Sequence, residues 1–358
     1  MIKNLSVVVP TFNEKDNIDK LYSQIKFNLN KLNINWDIIF VDDSLSHDTA
    51  NVIKKLQENE NNIFLIKRFE NRGLSSALIQ GALSSNSEYV VFIDADLQHP
   101  PEKIKDLYNE IISKKLHLVS ASRFLEKNKF LDKTRYKASL FVNYLLEKIF
   151  KIKYSDILTG FFIVKRSFFD ENYKNLSNIG FKILLDIVIS NKKSIKFSEI
   201  PFKFEKRHTG ESKLNSRVLI DFITLVLDKI IGKFIPARYF IYSFIGTLGV
   251  LFQISIFYIL LNILNFTPAL ITSIFFTIFF NYFMNNEFTY SDLKKKGNNF
   301  YKGLIKYYFF CFFGAIFNFV SAWLIFKSLN NFFLSVLIGA FVGSIWNYSM
   351  NTLHNWKK

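Results

Sequence analysis

The sequence predicts a chain in two parts. An α/β domain with a mainly parallel sheet covers residues 1–215, and an all-α domain of four transmembrane helices covers 237–358, with a linker over 216–236. Three observations carry this. Short apolar runs alternate with helix-period segments in the first part, the pattern of a doubly wound sheet. From Tyr239 to Asn286 there are 48 consecutive residues without a charge. With 358 residues, 49% of them hydrophobic, the chain is too long for one small domain and too apolar for disorder.

The strand-like runs are Leu5–Val9, Trp36–Val41, Ile63–Ile66, Tyr89–Ile93 and Leu116–Ser120. Between them, Asp16–Leu29 carries Ile18, Leu21, Tyr22, Ile25 and Leu29 at helical spacing. Thr49–Gln57 follows Asp48 as a cap, Gly73–Leu83 is the third helix, and Pro100 and Pro101 precede Glu102–Ser113. An apolar helix near Ile183–Ile189 belongs to the core of this domain. Arg217–Ile235 reads as an amphipathic helix, either lying in the membrane interface or packed on the domain.

The spans are expected at about 239–261, 267–286, 305–327 and 331–351, because each needs roughly 20 apolar residues. A break falls at Asn262–Pro268. Asn281-Tyr282-x-Met284-Asn285 recurs as Asn347-Tyr348-x-Met350-Asn351, and Phe244-x-Gly246 as Phe312-x-Gly314, so the four helices read as two copies of one hairpin. The glycines are expected to allow close helix packing.

The net charge of +16 divides evenly, +8 in residues 1–232 and +8 in 233–358. Such a balance suits nucleic acid or an anionic membrane surface; the spans decide for the lipid bilayer, and no nucleic-acid partner is expected. Lys229, Lys233 and Arg238, then Lys294, Lys295, Lys296, Lys302 and Lys306, then Lys357 and Lys358 lie on one side of the bilayer. The positive-inside rule makes that side cytoplasmic, giving an integral multi-pass cell-membrane protein with a cytoplasmic first domain. The lone cysteine, Cys311, fits a reducing location, and the strand-like opening VVVP speaks against a signal peptide.

In open α/β sheets the ligand lies beyond the carboxyl ends of the strands. There the sequence places Pro10-Thr11-Phe12-Asn13-Glu14, Asp42-Asp43, Asp94-Ala95-Asp96-Leu97-Gln98-His99 and Ser122-Arg123. Neither GxGxxG nor GxxxxGK[ST] occurs, which removes support for dinucleotide oxidoreductases and P-loop enzymes. Asp-x-Asp at a strand end directs carboxylates at one hard cation, Mg²⁺ or Mn²⁺, shared with substrate phosphates. Gln98 adds a third oxygen, and His99 reads as a turn residue.

VVVPTFNE, VDDSLSHDT, NRGLSSALIQGA, DADLQHP and ASRF, in that order, resemble family 2 glycosyltransferases of the GT-A fold, in the group acting on polyprenyl and dolichyl phosphates. The repeat-bearing tail resembles the GtrA-like membrane domain. The resemblance implies that Pro10, Glu14 and Asp43 contact the nucleotide, and that Asp94, Asp96 and Gln98 hold the metal. It implies that Arg123, Arg135 and Ser139 bind the acceptor phosphate, and that Arg207 and Lys213 bind the donor diphosphate. Asp156, in Asp156-Ile-Leu-Thr159-Gly160-Phe161, would be an acidic turn near the sugar, and Asp96, Arg123 and Asp156 the catalytic group. Two departures concern the nucleotide side: no Gly stands at Leu45–His47, and Ser75-Ser76 replaces smaller residues.

The implied reaction is inverting transfer of a hexose from a UDP-glucose or GDP-mannose type donor to polyprenyl phosphate. A phosphate monoester is already nucleophilic at neutral pH, so the site must manage charge rather than supply a strong base. Two alternatives stay open: a processive polysaccharide synthase, whose Gln/Arg-x-x-Arg-Trp motif is missing here, and a translocator of lipid-linked sugar with a nucleotide-sugar-binding module. The sequence leaves open the donor, the metal and whether the chain forms a homo-oligomer.

Overall fold

The computed structural model describes residues 4–70, 72–125, 133–177, 182–191, 194–203, 216–232 and 235–357. The chain divides into two compact units, Met1–Lys229 and Ile230–Lys358.

In the first unit the strands are β1 (Leu5–Thr11), β2 (Trp36–Asp42), β3 (Ile63–Lys67), β4 (Tyr89–Phe92), β5 (Leu118–Ser122), β6 (Phe162–Lys165) and β7 (Phe197–Pro201). They form one sheet in the order β3-β2-β1-β4-β6-β5-β7. Pairing is parallel except for β6, which runs antiparallel between β4 and β5. The expected mainly parallel α/β layout is thus present. The five expected strands all form, the fifth displaced to Leu118–Ser122; β6 and β7 are additional. β6 is only four residues, FIVK, inside a longer apolar segment. So short a run carries no periodicity that separates strand from buried helix.

Period-two alternation sorts the strand side chains onto two faces. Val8, Val41, Phe92 and Val164 join one hydrophobic cluster. Val7, Phe40, Val91 and Ile163 join the other. Burying each such side chain contributes about 1.5–3 kcal/mol. Helices α1 (Lys15–Leu29), α2 (Asp48–Gln57), α3 (Leu74–Ser84), α4 (Lys103–Ser113), α5 (Lys133–Phe150), α6 (Arg166–Asn172) and α7 (Ile183–Ser190) complete the layers. α1 buries Ile18, Leu21, Tyr22, Ile25 and Leu29, the stripe read from the sequence.

Helix α8 (Ser216–Ile231) belongs mostly to the first unit. Leu225 is fully buried in the cluster around Val8, and Lys229 pairs with Asp186 at 2.5 Å. Ile223 and Ile230 stay exposed.

The second unit contains four apolar helices long enough to span a bilayer: Ala237–Leu260, Phe266–Thr289, Asn298–Leu329 and Phe332–Asn355. Their α-helical parts are α9 (Ala237–Leu260), α10 (Phe266–Met284), α11 (Asn298–Leu329) and α12 (Phe332–Met350). α11 begins well before the expected 305, because Asn298–Lys306 continues the helix as a polar first section. α10 and α12 each run on into a π-helical turn, Asn285–Thr289 and Asn351–Asn355.

The repeat is structural. A Cβ at Gly249 would collide with the Asn281 side chain, and one at Gly314 with that of Asn347. Each hairpin therefore closes where a glycine of its first helix receives an asparagine of its second. The glycine matching Gly314 is Gly249, a correction to the expected Gly246, around which nothing approaches. Phe244-x-Gly246 matched by spelling; the helix face that meets α10 carries Gly249 instead.

Candidate active site

The carboxyl ends of β1, β2 and β4 lie side by side, with Thr11 opposite Asp42 and Asp42 opposite Lys67 of β3. Asp42 accepts from Thr11 Oγ1 at 3.1 Å and from Lys67 Nζ at 2.7 Å. Asp43, one residue on, receives a guanidinium fork: Arg68 Nε donates to Oδ1 at 2.7 Å and Nη2 to Oδ2 at 2.5 Å. The Gly73 N–H donates to the same Oδ2 at 2.9 Å. Arg68 Nη1 reaches Ser76 Oγ at 3.1 Å. The sequence reading missed Lys67 and Arg68; two basic residues at the end of the strand beside Asp42-Asp43 were the signal.

Asn13 has φ 59°, a left-handed conformation that asparagine tolerates, and its N–H donates to Ser44 Oγ at 2.8 Å. That bond ties the turn after β1 to the turn after β2. Glu14 donates its N–H to Thr49 Oγ1 at 3.2 Å and accepts from Asn17 Nδ2 at 2.8 Å. Pro10 sits within β1 opposite Val41.

Beyond β4 the chain turns through Leu97 at φ 62°. A left-handed leucine costs about 1–2 kcal/mol, offset here by burial of its side chain in the core that holds Ile104 and Leu107. The turn lets the Gln98 N–H donate to Asp96 Oδ1 at 3.1 Å. His99 lies in this turn, as expected, and it is buried, stacked on Phe161 with Phe202 at its edge. Its Nδ1 accepts the Asp94 N–H at 3.3 Å. Burial pushes the imidazole below its ordinary pKa despite Asp94 and Asp96 nearby. A neutral His99 therefore props the Asp94 turn from below.

Among the described residues no three His, Cys, Asp or Glu side chains close into a metal site. Asp94 and Asp96 supply two hard carboxylates on one turn, with the Asp94 side chain 37% exposed. That donor set fits a Mg²⁺ or Mn²⁺ ion that keeps positions for phosphate oxygens and water.

Arg123, just past β5, is forked onto Asp156: Nε to Oδ2 at 2.7 Å and Nη2 to Oδ1 at 2.8 Å, with the Arg123 N–H at 3.1 Å from Oδ2. Burial works against the guanidinium charge, but Asp156 outweighs it and holds the cation firmly protonated. Asp156 is fully buried. Its turn is fixed by Glu199 of β7, which accepts from the Ser155 N–H at 2.8 Å and the Asp156 N–H at 3.0 Å. Burial raises the Glu199 pKa. Gly160, at the end of the turn, lies against Asp94: a Cβ there would sit 3.0 Å from Oδ2. Lys182 Nζ donates to Leu158 O in the same turn at 2.6 Å. Its pKa falls to about 8, through burial first and then the Arg123 charge, with Asp94 and Asp156 opposing.

The fold thus gathers Asp94, Asp96, Gln98, Arg123 and Asp156. Glu199 and Lys182 were not among the expected residues; the one available signal was a single lysine leading into the apolar helix α7. Arg135 falls in the first turn of α5 with Ser139 one turn later, and the Arg135 side chain is outside the described residues. Arg207 and Lys213 also lie outside the described residues.

Residues 6–172 match the model of glycosyl transferase family 2, and residues 241–356 match that of the GtrA/DPMS transmembrane domain. A dolichol-phosphate mannosyltransferase of Pyrococcus furiosus is 30% identical over 359 aligned residues, covering 98% of this chain and 99% of that protein. A dolichol-phosphate mannosyltransferase of Saccharomyces cerevisiae is 28% identical over 237 residues, 64% of this chain and 88% of its own length. Among solved structures, glucosyl-3-phosphoglycerate synthase of Mycobacterium tuberculosis aligns at 15% identity and TM-score 0.49, covering 63% of this chain and 78% of that one. Fold and site define a membrane-bound glycosyltransferase with a GT-A-like domain. The chain belongs to glycosyl transferase family 2, among members that carry a GtrA/DPMS transmembrane domain and resemble dolichol-phosphate mannosyltransferases.

Proposed function

We propose that the protein transfers a hexose from a nucleotide sugar of the GDP-mannose or UDP-glucose type to a polyprenyl phosphate, with inversion at the anomeric carbon. The observation that carries the reading is the convergence of Asp94 and Asp96 with Arg123, an anion-binding cation beside a pair of hard carboxylates. The names of these two relatives, both dolichol-phosphate mannosyltransferases, support it. An oxygen of the acceptor phosphate attacks the anomeric carbon as the bond to the nucleotide diphosphate breaks, and the diphosphate leaves.

Arg123, with Arg135 and Ser139, binds and orients the acceptor phosphate. Asp156 positions Arg123 rather than meeting the sugar, since its carboxylate is fully occupied beneath the guanidinium. Pro10, Glu14 and Asp43 form the nucleotide side, and Arg68 adds a cation braced by Asp43. Arg207 and Lys213 bind the donor diphosphate. Asp94 and Asp96, with Gln98 beside them, would hold Mg²⁺ or Mn²⁺, which supplies charge neutralisation for the leaving diphosphate. The catalytic unit lies in the cytoplasm on this reading, since the lysine-rich ends of the spans share its side. The exposed Ile223 and Ile230 on α8 support contact of this helix with the membrane interface.

The test is transfer of labelled sugar into an organic-extractable lipid. Purified full-length protein receives undecaprenyl or dolichyl phosphate, Mg²⁺ or Mn²⁺, and a panel of UDP- and GDP-sugars. A labelled lipid made by wild type and not by Asp96→Asn is expected, and the productive donor identifies the sugar. Nucleotide-sugar binding without product from any donor would overturn the reading in favour of a translocator with a binding module.

A further inference from the structure

The turn between the second and third spans builds a basic pocket that the proposed reaction does not use. The pocket is about 330 Å³ and is lined by Asn286, Lys294, Lys295, Lys296, Phe300 and Tyr301, among others. Its lysines are not a loose string. The Asn286 carboxamide clamps the Lys295 backbone from both sides, accepting its N–H at 2.9 Å and donating to its carbonyl at 3.1 Å. Trp356 Nε1 donates to the same Asn286 oxygen at 3.1 Å. Gly303 makes room for the Lys295 stem, since a Cβ there would come 2.7 Å from Lys295 Cδ.

The charges are unequal in what they already hold. Lys294 pairs with Glu287 at 2.5 Å. No carboxylate among the described residues pairs with Lys295, which is half-buried; Lys296 is exposed. Burial, and then the Lys306 ammonium, pull the Lys295 pKa down, while Glu287, which also lines the pocket, is taken up by Lys294. α11 starts here behind Gly297, with no side chain capping its first turn, and adds the positive end of its dipole. Tyr301, exposed on the first turn, suits the headgroup level of a bilayer.

We propose that this pocket binds the phosphate of an anionic lipid, with Lys295 and Lys296 as its principal contacts. An anion is what Lys295 and Lys296, paired with no carboxylate among the described residues, call for. A lipid is its source because the pocket lies between the ends of two helices long and apolar enough to cross a bilayer, Phe266–Thr289 and Asn298–Leu329.

The test is native mass spectrometry of the full-length protein from micelles holding equal parts phosphatidylglycerol and phosphatidylcholine. Preferential retention of phosphatidylglycerol is expected. The double variant K295A/K296A should lose that preference about 30-fold, the weight two interfacial cations carry on an anionic lipid. K296E alters an exposed side chain only, so it should fold normally and still lose most of it. Millimolar inorganic phosphate should not displace the lipid. Equal retention of the two lipids, unchanged retention in K296E, or displacement by inorganic phosphate would each overturn the proposal.

Discussion

Arg123 and Asp156 form a two-bond fork at 2.7 and 2.8 Å, and the carboxylate is buried while the guanidinium borders the site. The pair carries more than charge, because a fork sets the plane of the guanidinium. Asp156→Asn should leave Arg123 present but unaligned. We expect transfer to fall about 100-fold, the scale of a misplaced binding group, with the melting temperature lowered because a buried charge loses its partner. Steady-state kinetics against acceptor lipid, beside a thermal melt, measure both. Arg123→Lys keeps the charge and loses the fork, so a variant as active as wild type would contradict this account.

Burial, and then the Arg123 charge, pull the Lys182 pKa down from 10.5 to about 8. Lys182 is a cation beside Arg123 below that pH and neutral above it. Transfer should therefore decline as pH rises through about 8, and Lys182→Met should start lower and show no such limb. The stability effect has its own sign. The fold disfavours the charged form, so the full penalty is present below pH 8 and is relieved as pH climbs from 8 toward 10.5. Rate–pH profiles of wild type, Lys182→Met and Lys182→Arg separate these cases, the arginine retaining activity and losing the decline.

Gly160 touches the Asp94 carboxylate, and a methyl added there would lie 3.0 Å from Oδ2 and 3.4 Å from Oδ1. Gly160→Ala must push the carboxylate aside by a few tenths of an ångström. The expected result is weaker Mg²⁺ or Mn²⁺ dependence, about 10-fold in the half-saturating metal concentration, the range seen when a ligand's support is disturbed. Donor binding without metal should stay unchanged. A metal titration of activity gives the answer.

Much of this site was legible because its motifs are local. Asp94, Asp96 and Gln98 lie within one turn, and a strand before them announces where the turn points. Asp156 was named, but the pairings that orient the site were not legible. Asp156 reaches Arg123 from 33 residues away, and Asp156 in turn hangs on Glu199, a further 43 residues along. Nothing in the strand FSEIP marks its glutamate as a brace for a distant turn. The same limit hid β6, whose antiparallel insertion beside β4 brings the Asp156–Gly160 turn up to Asp94. The spans were read correctly in number because bilayer thickness fixes how much apolar chain is needed, while their polar extensions had no such ruler.

The two helix hairpins give a fourth prediction. Gly314→Ala places a methyl in the Asn347 carboxamide and should lower the melting temperature in detergent by several degrees, as overpacking of about 1–3 kcal/mol does. Gly314→Ala with Asn347→Ala clears the collision and should recover part of the loss. Additive destabilisation in the double variant would show that the two residues do not meet.

Gly249 with Asn281, and Gly314 with Asn347, lie wholly inside their own hairpins. Neither contact waits for a residue supplied by the other half. During synthesis, the first pair of helices can enter the lipid and latch before the third has left the ribosome, and the second pair can repeat the step. The duplication thus gives each half of the membrane domain a register contact of its own.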